Sequence, residues 1–155
     1  MPGEYPFAGG PYLSAAFLCE KVLNESDGVK SIIRIVDRFV QSAVGPNPPP
    51  ELIPFEHSFV LFLRFKSGRA RGLMGVKFEL IKPSGEALPP GMQNVLFEGE
   101  DDGGVEIAIN MKLRLDQTGI WWFYIYLNDV RVTQIPFKVI YMPQVRQVSG
   151  SGNMV

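Results

Sequence analysis

The sequence contains only one cysteine and one histidine among its 155 residues. A single cysteine excludes an intramolecular disulfide, which fits a reducing compartment, and we expect the protein to be cytoplasmic. One cysteine and one histidine together also exclude the usual structural zinc sites, because these need three or four Cys and His ligands. We therefore expect no cofactor.

The cysteine and the histidine are also poorly placed for nucleophilic catalysis. Cys19 lies in the apolar run AAFLCEKVL, where burial raises the pKa of a thiol and leaves it unreactive. His57 opens a predicted strand between Glu56 and Ser58. Successive residues of a strand point to opposite faces, so neither neighbour is positioned to complete a catalytic set with the imidazole. We expect that the protein is not an enzyme.

The sequence lacks both an excess of charge and a long apolar run. It has 15 Lys plus Arg against 16 Asp plus Glu, so no overall field attracts nucleic acid or an anionic membrane. No segment approaches the roughly 18 consecutive apolar residues that indicate a membrane-spanning helix. Near the amino terminus, Glu4 stands where a secretory signal would carry positive charge. We expect neither nucleic acid nor a membrane as a partner.

Segments that alternate apolar with polar residues recur along the chain between clusters of Gly, Pro, Asn and Asp. This pattern predicts an all-β, antiparallel two-sheet β-sandwich of seven to eight strands, immunoglobulin-like, with a single closed barrel as the alternative. Segment 41–54 holds five prolines and predicts a crossover between the sheets. We divide the chain into a flexible N-terminal arm (1–11), the sandwich domain (12–143) and a flexible tail (144–155).

The stretch from Asp116 to Tyr141 predicts a β-hairpin that turns at Asn128-Asp129 and carries aromatic residues on both faces. One face is predicted to line the core: Trp121, Phe123, Ile125 and Leu127. The other is predicted to form an outer row: Trp122, Tyr124 and Tyr126. A half-buried strand normally alternates apolar with polar residues, so a second aromatic face is either covered by this chain or exposed to a partner. The N-terminal arm and the proline-rich segment are the two candidates for intramolecular cover.

Segment 29–40 predicts one continuous strand that follows the strand from Tyr12 to Asn24. Its predicted inward residues are Ile33, Ile35 and Phe39. Glu20 in the preceding strand is predicted to face an arginine of this one, either Arg34 or Arg38. Such a cross-strand ion pair would fix the register of the hairpin.

The outer row leads to two hypotheses about function. The first is a protein-interaction module that associates with itself or binds a partner protein through the aromatic face or an edge strand, because Trp and Tyr dominate binding energy at protein interfaces. The alternative is a sandwich that binds a carbohydrate or another planar ligand through Trp122, Tyr124 and Tyr126. That alternative includes a calcium ion at an acidic loop, for which hard oxygen ligands are suited. The carboxylates of this loop are Glu98, Glu100, Asp101 and Asp102, and a solvated hairpin tip is the simpler interpretation.

Three segments together resemble a bacterial family of small β-sandwich proteins of unknown function. They are AFLCEKVLNESDGVKSIIRIVDRF (16–39), FVLFLRFKSGRARGLMGVKFELIKPSG (59–85) and LDQTGIWWFYIYLNDVRVTQIPFKV (115–139). The late hairpin departs from the family pattern, with Asn128-Asp129 in place of Asp-Gly and Trp121 in place of Tyr. The resemblance implies an immunoglobulin-like sandwich in a bacterial cytoplasm, and it supplies no catalytic residues.

Overall fold

The computed structural model describes residues 7–146, and these residues form nine strands and no helix. The strands are β1 (Tyr12–Asn24), β2 (Lys30–Val36), β3 (Arg38–Gly45), β4 (Phe55–Lys66), β5 (Arg71–Ile81), β6 (Gly91–Glu98), β7 (Gly104–Leu115), β8 (Gly119–Leu127) and β9 (Val130–Val145). Over this range the chain therefore has no helical segment long and apolar enough to cross a bilayer.

The strands form two sheets that share one hydrophobic core. The four-stranded sheet has the order β2-β1-β4-β7, and the five-stranded sheet has the order β3-β9-β8-β5-β6. The predicted all-β class and the two sheets are confirmed. The predicted seven to eight strands are too few, and the uniformly antiparallel arrangement is wrong, because β3 and β9 pair in parallel.

Both differences arise at Asp37, where the chain leaves one sheet and enters the other. The predicted single strand 29–40 is divided there into β2 and β3, and the Asp37 carbonyl accepts a bond from the Lys138 amide at 3.0 Å. Ile33 and Ile35, which were predicted to face inward, are 38% and 65% exposed because they lie on the outer side of an edge strand. Phe39 belongs to the other sheet and is buried, as predicted.

The proline-rich segment crosses from the five-stranded to the four-stranded sheet, as predicted, although β3 continues to Gly45 before the crossover begins. The side chain of Gln41 holds this connection in place. Its amide nitrogen donates to the Ile53 carbonyl at 2.8 Å, and its amide oxygen accepts from the Ile53 amide at 3.0 Å. Leu52 packs against the core beside it.

The core consists of apolar side chains from the inner faces of both sheets. Its largest fully buried members are Trp121, Phe65, Phe97, Phe123, Phe137, Leu18, Leu61, Leu63, Ile107, Leu115, Ile125 and Leu127. Trp121 satisfies its one polar group inside this core, because its indole N–H donates to the Gln117 carbonyl at 3.0 Å. The β8 strand is therefore anchored on its inner side, which fixes the direction of its outer side chains.

The domain includes part of the predicted N-terminal arm and part of the predicted tail. Residues 7–11 contact the domain: the Gly9 carbonyl accepts from the Arg69 amide at 2.8 Å, and Phe7 packs against the core. At the other end, β9 continues to Val145. Residues 1–6 and 147–155, which make up the remainder of the predicted flexible segments, lie outside the described residues.

Candidate functional site

The predicted hairpin from Asp116 to Tyr141 is present as β8, a two-residue turn and β9. Both turn residues have positive φ, 46° at Asn128 and 66° at Asp129. This backbone is that of a type I′ turn, whose twist matches two antiparallel strands, and Asn and Asp tolerate it better than most residues do. The turn sets the pairing of Tyr126 with Arg131, and a β-bulge at Val132 then shifts the register by one residue, so that Ile125 pairs with Thr133.

The alternation along β8 follows the prediction. The four core residues Trp121, Phe123, Ile125 and Leu127 are each 0% exposed. Trp122, Tyr124 and Tyr126 point to the opposite side of the five-stranded sheet and are half-buried. We call these three residues the aromatic row.

The rings of the aromatic row are held by one another and by two cations. Trp122 and Tyr124 stack with centroids 6.3 Å apart and planes 23° apart. The Arg131 guanidinium lies 5.4 Å from the Tyr124 centroid, and Lys77 Nζ lies 4.6 Å from the Tyr126 centroid. Cations attracted to ring faces in this way also orient the rings. The row is a preorganised surface in which each aromatic side chain has a neighbour that restricts its movement.

The aromatic row lies within a larger face, which we call the outer face, on the side of the five-stranded sheet away from the core. Strand register places residues of β5 and β9 beside the row: Lys77, Glu79 and Ile81 on one side, and Arg131, Gln134 and Pro136 on the other. Exposed apolar residues extend the face over all five strands. They are Val40, Leu73, Met92, Leu96, Ile120 and Met142.

Neither candidate for intramolecular cover reaches the aromatic row through its described contacts. The proline-rich connection bonds to Gln41 and to the Tyr141 hydroxyl, which donates to the Pro49 carbonyl. Gln41 and Tyr141 point to the core side of β3 and β9, because they alternate with Val40 on the outer face and share the parity of buried Phe39 and Val139. Phe7 of the arm packs on the core. Residues 1–6 of the arm, with Tyr5, lie outside the described residues.

Cys19 and His57 occupy structural positions. Cys19 is fully buried and unpaired, and burial raises the pKa of its thiol while a backbone hydrogen bond from Lys21 acts in the opposite direction. The His57 imidazole packs among aromatic rings, 4.6 Å from the Phe39 centroid and 6.4 Å from that of Phe59. Because the pKa of Cys19 is raised, little of its reactive thiolate form is present at neutral pH.

The acidic loop is an exposed turn between β6 and β7, but the predicted hairpin is wrong, because these two strands belong to different sheets and the loop crosses between them. The Glu100 carbonyl accepts from the Gly103 amide at 3.0 Å, which closes a turn, and Lys66 Nζ donates to the Asp102 carbonyl at 2.9 Å. Over residues 7–146, the structure brings together no group of three or more His, Cys, Asp or Glu side chains that could hold a metal ion.

Most of the outer face beyond the aromatic row was not predicted from the sequence. Lys77 alternates along β5 with the buried Val76, but only the strand order shows that β5 lies beside β8 and brings this lysine to Tyr126. Met92 and Leu96 of the outer face lie in β6, which begins at Gly91, and they were not assigned to that face from the sequence. The alternation of Met92, Asn94 and Leu96 with Gln93, Val95 and Phe97 was the available signal.

Two solved structures resemble this fold at low similarity. One is an immunoglobulin-like protein from Pseudomonas aeruginosa, with 11% identity and a TM-score of 0.32 over 84% of this chain and 96% of that chain. The other is the alkylpurine DNA glycosylase AlkC of Pseudomonas fluorescens bound to DNA containing an abasic site analog. It has 12% identity and a TM-score of 0.39 over 54% of this chain, which spans only 26% of the glycosylase chain. Similarities at this level carry no argument about function.

Among curated proteins, none matches the chain. Residues 14–140, well over half of the sequence, match the profile of a family of unknown function, DUF6941. The match spans the strands from β1 to the greater part of β9, including the aromatic row. It confirms the expected resemblance to a family without a known function, and the chain therefore belongs to DUF6941.

Proposed function

We propose that this protein is a non-enzymatic interaction module that binds a partner protein through the outer face of its five-stranded sheet. The observation that carries the proposal is the aromatic row, which stands in the middle of a face that carries exposed apolar residues on all five strands, without described cover from the arm or the proline-rich connection. Exposed apolar side chains that gather on one face around aromatic residues, with polar residues between them, are typical of binding surfaces.

The composition of the face supports a protein as the partner. Trp122, Tyr124 and Tyr126 lie at its centre, and Lys77 and Arg131 lie at their sides. Interfaces are enriched in aromatic residues and arginine, and the residues that dominate binding energy are most often Trp, Tyr and Arg. Because the rings are already packed against neighbours, little side-chain entropy is lost when a partner binds, which favours affinity.

The same geometry argues against the carbohydrate alternative. A sugar stacks on the open face of an aromatic ring, but Trp122 and Tyr124 use ring faces to stack on each other. The faces of Tyr124 and Tyr126 also contact Arg131 and Lys77. Each ring of the row therefore has at least one face in contact with a side chain of this protein, which leaves less ring surface for stacking on a planar ligand and favours a protein partner.

We further infer that the protein has no catalytic activity. Burial raises the pKa of the Cys19 thiol, and His57 is packed between phenylalanine rings. Catalysis by these side chains would need a nucleophile and a base within hydrogen-bond reach of each other. Cys19 is on β1 and His57 is on β4, where the residue of β4 paired with Cys19 is Val60.

The proposal is tested by comparing three immobilised baits in an extract of the source organism. The baits are the wild-type protein, the double variant Trp122→Ala with Tyr124→Ala, and the control Ile35→Ala. Ile35 is an exposed apolar residue on the other sheet. We expect a protein that is retained by the wild type and by the control but lost from the double variant. Retention of the same proteins by all three baits would contradict the proposal.

A further inference from the structure

Strand β3 is an edge strand with few of the features that prevent edge-to-edge pairing. It pairs with β9 on one side, and the described residues place no strand on its other side. From Phe39 to Gly45 it contains neither a charged residue nor a proline. Natural edge strands usually carry such residues because an unprotected edge pairs with another chain.

The other strand edges are protected. In β2, Arg34 has a φ of 54°, which distorts the strand, and β7 carries Glu106, Lys112 and Arg114. The edge of β6 lies beside β7 of the same molecule, and Gln93 of β6 lines a cleft of about 560 Å³ together with Ala108 of β7. The part of β9 that extends past β8 contains Pro143, which lacks an amide donor.

The side chains of β3 are close to symmetric about Ser42. Its outward residues are Val40, Ser42 and Val44, and its inward residues on either side of Ser42 are Gln41 and Ala43. If two copies of β3 pair antiparallel with Ser42 opposite Ser42, each Val40 lies opposite the Val44 of the other copy. Arg38 then lies opposite position 46, beyond the end of the strand. This register brings no two like charges together and pairs two exposed β-branched residues, which is favourable in a sheet.

The strand is also held rigidly in the conformation that pairing requires. Its backbone is bonded along its length to β9, and the Gly45 carbonyl accepts from the Arg146 amide at 2.9 Å. On the core side of β3, the two hydrogen bonds between Gln41 and Ile53 attach the strand to the proline-rich connection. A preorganised edge loses little conformational entropy on pairing.

We propose that β3 pairs antiparallel with β3 of a second copy of this chain, about a two-fold axis through Ser42. The two five-stranded sheets then form one continuous ten-stranded sheet. Because the axis is perpendicular to this sheet, both outer faces lie on the same side and both aromatic rows remain open. The dimer thus presents two binding faces to one partner, and linked sites of this kind bind more tightly than single ones.

Cysteine cross-linking tests this register directly. In the proposed dimer, the two Ser42 Cα atoms lie about 4.5–5.5 Å apart, which is within disulfide range. The two Val40 residues are four positions out of register, about 13 Å apart along the strand. We expect Ser42→Cys to form a covalent dimer under mild oxidation and Val40→Cys to remain monomeric on a denaturing gel. Native Cys19 is buried and does not interfere. Cross-linking of both variants to the same extent, or of neither, would overturn the proposal.

A pair of charge variants tests the same contact in solution by sedimentation velocity. We expect the wild type at twice the 17.3 kDa mass of one chain. Val40→Lys with Val44→Lys places like charges opposite each other and should weaken the dimer by about tenfold or more. Val40→Lys with Val44→Glu places opposite charges there and should restore it. Both sites are about half exposed, so the monomer tolerates these changes.

The test of pairing through β3 can be distinguished from the test of partner binding through the outer face. Trp122→Ala with Tyr124→Ala removes the outer-face contacts and leaves β3 intact, so we expect this variant to sediment as a dimer. A wild-type protein that remains monomeric, or a Lys and Glu variant that dissociates as readily as the double lysine variant, would overturn pairing through β3. Neither result would bear on the outer face.

Discussion

Glu20 and Arg34 face each other at the point where the hairpin of β1 and β2 leaves the body of the four-stranded sheet. The Glu20 carboxylate lies 2.8 Å from Arg34 Nε. Cys19 is the last residue of β1 paired with β4, and beyond it β1 pairs only with β2. Arg34 has a φ of 54°, a conformation that costs a non-glycine residue about 1–2 kcal/mol. The ion pair therefore lies at a local distortion of the strand.

This distortion predicts an unusual order of stability among variants of Arg34. Arg34→Ala removes the ion pair and keeps the backbone strain, whereas Arg34→Gly removes both. We expect the glycine variant to be more stable than the alanine variant by about 1 kcal/mol, the reverse of the usual order in a strand. Urea unfolding of the two variants measures this difference. An alanine variant as stable as the glycine variant, or more so, would show that the backbone at Arg34 is unstrained.

Lys82 and Asp116 predict a second effect on stability. Lys82 Nζ donates to the Asp116 carboxylate at 3.0 Å, and its side chain is only 10% exposed. The bond joins the loop after β5 to the turn between β7 and β8, where the Ser84 amide also donates to the Gln117 side chain at 3.0 Å. We expect Lys82→Met to lower the free energy of unfolding by about 2 kcal/mol, because it leaves a partly buried carboxylate without its partner. Chemical denaturation near neutral pH gives the value, and a loss below about 0.5 kcal/mol would contradict it.

The contribution of Lys82 depends on pH in a defined direction. The hydrogen bond from Lys82 to Asp116, opposed in part by burial, raises the pKa of the lysine above its ordinary value of 10.5. A cation with a raised pKa in the folded state stabilises the fold fully below its unfolded pKa and loses this effect as the pH rises through the folded value. Between neutral pH and about pH 10, the difference in stability between the wild type and Lys82→Met should therefore be constant, and it should shrink above that range. A difference that instead grows in alkali would contradict this assignment.

A side chain at position 91 is predicted to disrupt packing at the edge of the five-stranded sheet. It lies opposite Phe78, whose ring occupies the space that a side chain at position 91 would need. We expect Gly91→Ala to destabilise the fold by about 1–3 kcal/mol, the usual range for overpacking. Gly75→Ala is the matched control, because the closest atom to its added carbon would be the flexible end of Met92, at 3.3 Å, and the next would be Asn94 Oδ1, at 3.6 Å. Equal melting temperatures for the two variants would disprove the close contact with Phe78.

The acidic loop predicts a negative result with calcium. Within residues 7–146 its carboxylates are not gathered into a group of three or more ligands. Calcium needs six to eight oxygen ligands for tight binding. We therefore expect millimolar calcium to leave the melting temperature unchanged. A clear rise that is abolished by Asp101→Asn with Asp102→Asn would restore the calcium alternative.

The sequence was sufficient to predict the features that depend on local periodicity. The alternation in β8 identified the buried face of Trp121 and Phe123 and the outward row, because strand geometry alone determines these directions. The pairing of Glu20 with one of two arginines was also predictable, since the turn between β1 and β2 brings the strands together. The crossover at the proline-rich segment followed from the loss of amide donors.

The features that depend on strand order could not be predicted in the same way. Nothing local distinguishes Ile33 and Ile35 from core residues, because their alternation is that of a half-buried strand. Only the change of sheet at Asp37 leaves them on an exposed side. The parallel pairing of β3 with β9 joins residues about 100 positions apart, as Phe39 with Val139, and no short-range pattern records it. The extent of the outer face follows from that pairing and was therefore hidden as well.

The central claim is that the aromatic row binds a partner protein, and the affinity for the captured partner tests it most directly. Isothermal titration calorimetry should be carried out with the wild type, with Trp122→Ala and with the control Ile35→Ala. We predict that Trp122→Ala raises the dissociation constant by about 30-fold. This corresponds to a loss of about 2 kcal/mol of binding free energy, which is typical of a residue that dominates an interface. Ile35→Ala should change the dissociation constant by less than about twofold. A Trp122→Ala variant that binds as tightly as the wild type would contradict the claim.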